Sequence, residues 1–206
     1  VVLRHKSKAG EMGFPGKVKA SVTFELTGNK LTISYRATAD EPTPVNMTNH
    51  VYWNLAGEGT LDGHELAVAA AAYVEVDAAN IPVPGPPAAV SGSRFNCNSG
   101  RSLTAVVEAG GYDHCFVLDA DAKPQATLRH ESGRRIDIAT NQIGLQAYTG
   151  QHLDPSRRGI ALETQCLPDT PNRPDFGDCT VRPGQDYLAS STFTFFTSDE
   201  DAGAVV

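Results

Sequence analysis

Residues 46–55 place a histidine within a run of polar side chains, a combination that could carry proton-transfer chemistry. If the run forms a strand, Thr48, His50, Tyr52 and Asn54 share one face, because side chains alternate along a strand. The apolar side chains of the run fall on the other face: Met47, Val51, Trp53 and Leu55. A row of neutral hydrogen-bonding groups favours the lining of a pocket for a polyhydroxylated ligand over a solvated surface. Because free imidazole exchanges protons near neutral pH, a histidine in such a pocket could act as an acid or a base.

Three further polar groups could meet a ligand. Glu163 lies in the middle of the predicted strand 160–165, beside uncharged side chains on its face, which favours a shallow polar hollow. Asp113 follows two glycines, and Gln146 lies in a short segment bounded by glycines. Each group also has a structural interpretation. Single strand histidines are commonly structural, strand glutamates commonly face solvent, and an acid after glycines commonly satisfies turn amides.

The motifs around these groups resemble the aldose 1-epimerase (galactose mutarotase) family. Residues 48–55 are similar to its T-N-H-x-Y-F/W-N-L motif, and residues 161–165 to its A-L-E-T/P-Q run. Residues 110–114 resemble G-G-Y/F-D-H, and residues 143–149 resemble P-G-x-Q-x-Y-T with Ile in place of Pro. Shorter matches keep the family order from Ser7 to Phe195, although 95–97 reads F-N-C where many members have F-D-F.

The resemblance implies a role for each polar group. His50 would be the proton donor and Glu163 the general base, on opposite sides of one sugar. The implied substrate-binding set is Tyr52, Asp113, Gln146 and Asn49. No metal or cofactor is implied, because ring opening needs one proton removed from the C1 hydroxyl and one delivered to the ring oxygen. We expect Glu163 to be ionised at neutral pH without special tuning, since free glutamate titrates well below neutrality.

The function that this resemblance implies is interconversion of the α and β anomers of a free aldohexose such as glucose or galactose. One alternative is a non-catalytic carbohydrate-binding or regulatory protein on the same fold. Another is a hexose-6-phosphate 1-epimerase, which would need cations for the phosphate. The candidate cations for that role lie in two doublets: Arg134, Arg135, Arg157 and Arg158. A glycosidase is disfavoured because it needs two carboxylates across the scissile bond.

The hydrophobic pattern predicts an all-β antiparallel sandwich in a single domain, residues 1–206. Residues 18–26 and 31–38 alternate apolar and polar side chains around Gly28-Asn29, which predicts a hairpin. Short strands are expected near 116–118, 126–128, 136–138, 160–165 and 193–196, with one short helix at 103–109. The proline-rich residues 81–87 predict a surface loop, and 198–206 a frayed tail.

Composition narrows the remaining classes of function. A net charge of −7 with no basic stripe argues against a nucleic-acid partner, and no apolar run is long enough to cross a bilayer. Cys97, Cys115, Cys166 and Cys179 lack metal-ligand spacing and are expected to be buried thiols, which favours the cytoplasm. We expect a monomer or weak dimer.

One expectation concerns the extent of the chain. It begins at Val1 without an initiator methionine, so we expect a fragment or trimmed chain that lacks the family's N-terminal portion. The resemblance then implies a galactose mutarotase-like supersandwich truncated at its N-terminus. A signal peptide upstream of Val1 stays open.

Overall fold

Short antiparallel strands account for most of the regular structure in residues 1–197, the part of the chain described by this computed structural model. The expected frayed tail at 198–206 lies outside the described residues. The first eight strands in chain order are β1 (Val2–Ser7), β2 (Val18–Thr27), β3 (Lys30–Ala39), β4 (Thr43–Pro44), β5 (Tyr52–Trp53), β6 (His64–Val68), β7 (Ala70–Tyr73) and β8 (Ala88–Ala89). The next eight are β9 (Arg101–Ser102), β10 (Asp113–Leu118), β11 (Ala126–His130), β12 (Arg135–Thr140), β13 (Gly144–Tyr148), β14 (Ile160–Gln165), β15 (Thr180–Val181) and β16 (Tyr187–Phe196).

These strands form two main sheets within the described residues. The larger sheet has the strand order β1-β2-β3-β16-β12-β11-β6-β9, and the smaller has the order β5-β14-β13-β10-β7-β8. Neighbouring strands in both sheets are antiparallel. The prediction of an antiparallel all-β fold is therefore confirmed.

The predicted hairpin is present, with β2 and β3 paired along their whole length from Val18–Ala39 to Thr27–Lys30. Gly28 in the turn has a φ of 58°, a left-handed conformation that glycine adopts without the steric cost of a Cβ. Ile33, Tyr35 and Ala37 point inward from β3 and are buried, as the alternation indicates.

A single large apolar cluster lies between the two sheets. The larger sheet contributes side chains such as Leu128, Ile136 and Phe193, and the smaller sheet contributes Phe116 and Leu162. All five are almost completely buried. Because one face of β13 and β14 packs into this cluster, the other face of these strands is left for polar groups.

The prediction of a strand over residues 46–55 is wrong over most of its length, since only the two residues of β5 lie in a ladder. Val51 is exposed rather than buried. The physical reason is that asparagine side chains here bind backbone groups that a neighbouring strand would otherwise pair with. The Val51 amide, for example, donates to Asn49 Oδ1 at 3.2 Å.

Other local predictions are confirmed. The helix expected at 103–109 is present as α1 (Leu103–Glu108), with Leu103 and Val106 buried. Residues 81–87 form a loop, in which Pro82 makes an isolated bridge to Val76.

Residues 1–197 contain free cysteines, but no membrane-spanning helix and no metal-binding cluster. All four cysteines are free thiols there; three are buried and Cys166 is partly exposed. No helix described by the structure is long and apolar enough to cross a membrane. No group of three or more His, Cys, Asp and Glu in this region could hold a metal ion.

Candidate active site

The polar face of the smaller sheet gathers the predicted site residues. In the register of β13 and β14, Gln146 lies opposite Glu163. In the register of β10 and β13, Asp113 lies opposite Tyr148. Paired residues of antiparallel strands point to the same side of the sheet. These four side chains therefore share the face turned away from the apolar core.

His50 reaches this face from the irregular segment that precedes β5. Its Nε2 lies 3.5 Å from Oε1 of Glu163, so two residues separated by 113 positions in the sequence form one pair. The Glu163 side chain is 10% exposed, whereas that of His50 is 50% exposed. The two groups lie side by side rather than on opposite sides of a sugar-sized hollow, which corrects the geometry expected from the sequence.

Burial changes the chemistry of the carboxylate. Removal from water raises the pKa of Glu163 above its ordinary value, and the negative charge of Asp113 raises it further. The positive charge of His50 lowers the pKa of Glu163, but burial has the larger effect. The sequence alone predicts an ordinary environment for Glu163, whereas burial in the folded chain shifts its pKa upward. A perturbed carboxyl with a charged partner is characteristic of functional sites.

This burial predicts that Glu163→Gln stabilises the fold at neutral pH. The unfolded chain releases its proton near 4.5, whereas the folded carboxyl holds its proton to higher pH. Folding stability is therefore lost as the pH rises from 4.5 through the folded pKa, and glutamine escapes this loss. We expect the midpoint of thermal unfolding to lie above that of wild type at pH 7.5, because the uncharged amide avoids the cost of burying a carboxylate. The difference should vanish at pH 4; an equal or lower midpoint at pH 7.5 would contradict the cost of burial.

Asp113 and Gln146 form a second polar pair beside the first. Gln146 Nε2 donates to Asp113 Oδ1 at 2.7 Å across neighbouring strands. This bond fixes the amide orientation, so that Gln146 Oε1 is left as an acceptor and Asp113 Oδ2 as another. Two oriented acceptors suit the hydroxyl groups of a polyol.

Aromatic rings border the His50–Glu163 pair. The ring centroids of Tyr52 and His50 are 4.9 Å apart, and Tyr148 lies 6.1 Å from Tyr52 and 6.4 Å from His50. Tyr148 was not among the predicted site residues. Its position two residues after Gln146, on the same face of one strand, is the signal that could have identified it.

Asn49 and Asn54 form hydrogen bonds away from the His50–Glu163 pair, and the Thr48 hydroxyl pairs with neither. Asn49 accepts a hydrogen bond from the Val51 amide. Thr48 buries a hydroxyl oxygen that has no hydrogen-bond partner within the described part of the chain. Asn54 Nδ2 donates to the Arg158 carbonyl at 2.9 Å. The continuous polar row expected along 48–54 is thus broken, and only His50 and Tyr52 of that row reach the pair. The role of Asn49 in sugar binding stays a prediction.

Comparison with known proteins places this arrangement in a family. The family model described as aldose 1-epimerase matches residues 1–194, which include every residue of the site. The chain belongs to the aldose 1-epimerase family. The family resemblance noted from the short motifs is thus confirmed along nearly the whole described chain.

Members of the family from a mammal and a bacterium are similar to this chain over most of its length. Galactose mutarotase of Mus musculus is 40% identical over 208 residues, which cover 92% of this chain and 60% of the relative. Aldose 1-epimerase of Escherichia coli K12 is 36% identical over 220 residues, 95% of this chain and 63% of the relative. The chain therefore spans less than two thirds of these relatives' lengths.

Solved structures in the aldose 1-epimerase family share the fold. An aldose epimerase homologue from C. elegans superposes with a TM-score of 0.88 at 28% identity, covering 96% of this chain and 65% of that structure. A galactose 1-epimerase from Lactobacillus acidophilus superposes with a TM-score of 0.84 at 28% identity, covering 95% and 62%. The predicted galactose mutarotase-like fold is confirmed.

Proposed function

We propose that this chain carries the acid–base pair of an aldose 1-epimerase that interconverts the α and β anomers of a free aldohexose. The observation that carries the proposal is the 3.5 Å approach of His50 Nε2 to Glu163 Oε1 on the polar face. One group is a carboxylate and the other an imidazole, so one can accept a proton while the other donates one. The names of the relatives, galactose mutarotase and aldose 1-epimerase, support the same reaction.

The reaction opens and closes the hemiacetal ring. Glu163 takes the proton of the C1 hydroxyl while His50 gives a proton to the ring oxygen, and the bond between C1 and the ring oxygen breaks to leave an open-chain aldehyde. Rotation about the C1–C2 bond presents the other face of the carbonyl. The hydroxyl group formed from the former ring oxygen then attacks C1. His50 takes back the proton of this hydroxyl, and Glu163 returns a proton to the carbonyl oxygen.

Side-by-side placement suits this chemistry. The C1 hydroxyl oxygen and the ring oxygen are bonded to the same carbon, so two neighbouring groups can each address one of them. The distance of 3.5 Å exceeds that of a short hydrogen bond. Catalytic contacts are commonly loose in a free enzyme and tighten around the substrate.

The pair of Asp113 and Gln146 orients the sugar in this proposal. Their free oxygens accept hydrogen bonds from ring hydroxyls, while the apolar faces of Tyr52 and Tyr148 border the ring carbons. Binding energy from hydroxyls remote from C1 holds the reacting bond over the acid and the base.

The phosphorylated-sugar alternative is less well supported. Arg134 Nη1 donates to the carbonyls of Leu55 and Ala56, and Arg135 forms an ion pair with Asp137 at 3.2 Å. Both guanidinium groups of this doublet therefore have structural partners. A sugar without phosphate needs no such cation, which favours the free aldohexose.

Polarimetry tests the proposal against a binding-only role. Freshly dissolved α-glucose or α-galactose changes optical rotation as it equilibrates, and the purified chain should accelerate the change in proportion to its concentration. A protein that binds the sugar, as measured by calorimetry, without accelerating the change would support the non-catalytic alternative. Absence of both binding and acceleration would overturn both functions for this chain.

Asp113→Asn is expected to weaken sugar binding more than turnover. The amide oxygen can still accept from Gln146 Nε2, but an NH₂ group replaces the other carboxylate oxygen, so the sugar loses an anionic acceptor. We expect KM to rise roughly tenfold, as for the loss of one hydrogen bond to a charged group, with a smaller change in kcat. Asp186→Asn, which alters a surface ion pair with Arg36, is the matched control. An unchanged KM in Asp113→Asn would remove this residue from the site.

A further inference from the structure

The segment that carries His50 is held to the strand that carries Glu163 without a backbone ladder of its own. Among the described residues, the backbone of 46–51 makes no hydrogen bond to another backbone group. Side chains take over this task. One of these contacts leads to the other sheet, where the Met47 amide donates to the hydroxyl of Tyr187 on β16 at 3.2 Å.

Asn46 makes the contact that links this segment directly to the end of β14. The Cys166 amide donates to Asn46 Oδ1 at 2.9 Å, and Asn46 Nδ2 donates to the Cys166 carbonyl at 3.4 Å. Cys166 immediately follows β14, three residues after Glu163. The asparagine carboxamide thus pairs with both polar groups of one backbone unit, much as a neighbouring strand would.

The opposite end of the segment is fixed to the opposite end of the same strand. Tyr52 and Trp53 pair with Ala161 and Ile160 in the ladder of β5 and β14. His50 therefore lies between two attachments to β14, at Cys166 and at Ala161. Loss of the first leaves residues 46–51 attached to β14 only beyond His50, while Met47 keeps its hydrogen bonds with Tyr187 of β16.

We propose that Asn46 is a positioning residue that sets the distance between His50 and Glu163. The inference deepens the proposed function and rests on it for its effect on turnover, although the contact itself concerns geometry alone. Asn46 lies outside the substrate-binding pair of Asp113 and Gln146. Its loss therefore affects the approach of acid to base more than the affinity for sugar.

The test compares Asn46→Ala with Asn98→Ala. Asn98 makes the same double contact elsewhere in the smaller sheet: it accepts from the Ala70 amide at 3.1 Å and donates to the Ala70 carbonyl at 3.0 Å. Both variants lose an equivalent carboxamide, so their thermal unfolding should shift by similar amounts. We expect kcat to fall roughly 10–100-fold in Asn46→Ala, as for an ångström-scale misplacement of a catalytic group. KM should stay within about threefold, and Asn98→Ala should keep the wild-type kcat.

A second measurement separates geometry from activity. Titration of the Glu163 carboxyl by carbon-13 NMR gives its pKa in wild type, and His50→Gln should raise that pKa because a nearby positive charge is removed. The rise should be smaller in the Asn46→Ala background, where His50 is no longer held close; the comparison is a double-mutant cycle. An equal rise in both backgrounds, or equal kcat losses in Asn46→Ala and Asn98→Ala, would overturn the inference.

Failure of the proposed function gives a different result from failure of this inference. A wild-type chain without mutarotation, whose NMR cycle nevertheless shows weakened coupling in Asn46→Ala, would refute the activity and retain the positioning role. If Asn46→Ala does not fold, Asn46→Asp keeps the acceptor for the Cys166 amide, and the same cycle should then show a partial loss of coupling. Full coupling in that folded variant, with wild-type kcat, would count against Asn46.

Discussion

Glu163→Gln is expected to lower kcat for anomer interconversion by roughly 10²–10⁴-fold, the contribution of one positioned general base. Glutamine keeps the shape of the side chain and can still donate and accept hydrogen bonds, but it cannot take the C1 hydroxyl proton. Because Asp113 and Gln146 are untouched, KM should change by less than about fivefold. Initial rates by polarimetry over a range of sugar concentrations separate the two parameters.

The control for this variant is Glu25→Gln, which changes an exposed glutamate on β2 of the other sheet. It removes the same charge from a strand without approaching the polar face. Wild-type kcat in Glu163→Gln would end the assignment of Glu163 as base. A large loss in Glu25→Gln would show that net charge, rather than position, determines the rate.

His50→Gln is expected to produce a loss of similar size, roughly 10²–10⁴-fold in kcat. Without the imidazole the ring oxygen loses its proposed proton donor and would leave as an unstabilised alkoxide. His5→Gln, on the exposed edge strand β1, is the matched control. A His50→Gln variant that retains full turnover would place the acid elsewhere.

The two variants combined test whether the residues act as one unit. Groups that work in the same step are strongly non-additive, so the double variant should be no slower than the slower single variant by more than about threefold. Losses that multiply fully would indicate that His50 and Glu163 support separate steps. The 3.5 Å contact between them is the structural reason to expect a unit.

Local alternation predicted the strand that carries Glu163, because one of its faces packs into the core and the other carries the polar side chains. The hairpin of β2 and β3 was predictable for the same reason, with Gly28 supplying the turn. The strand that carries Gln146 was not among the predicted strands. β7 was not anticipated, since Ala70, Ala71 and Ala72 show no contrast between faces. Its place in the sheet is set by tertiary pairing with β10, which a local pattern cannot encode.

The sequence predicted which residues form the site better than it predicted how they are arranged. Short motifs identified His50 and Glu163, but the irregular path of 46–51 depends on asparagine side chains that bind backbone groups. Asn46 finds its partner 120 positions away in the sequence. The raised pKa of Glu163 likewise follows from burial beneath neighbours that are distant in the chain. Such effects arise from the assembled sheets and leave no periodic signal in the sequence.

A crystal structure of the Glu163→Gln chain with bound galactose tests the central claim most directly. The account predicts that C1 lies over the pair, with the C1 hydroxyl within hydrogen-bond distance of the side chain at position 163 and the ring oxygen within reach of His50 Nε2. A sugar bound with C1 remote from both groups, or a polar face left empty at saturating galactose, would contradict it.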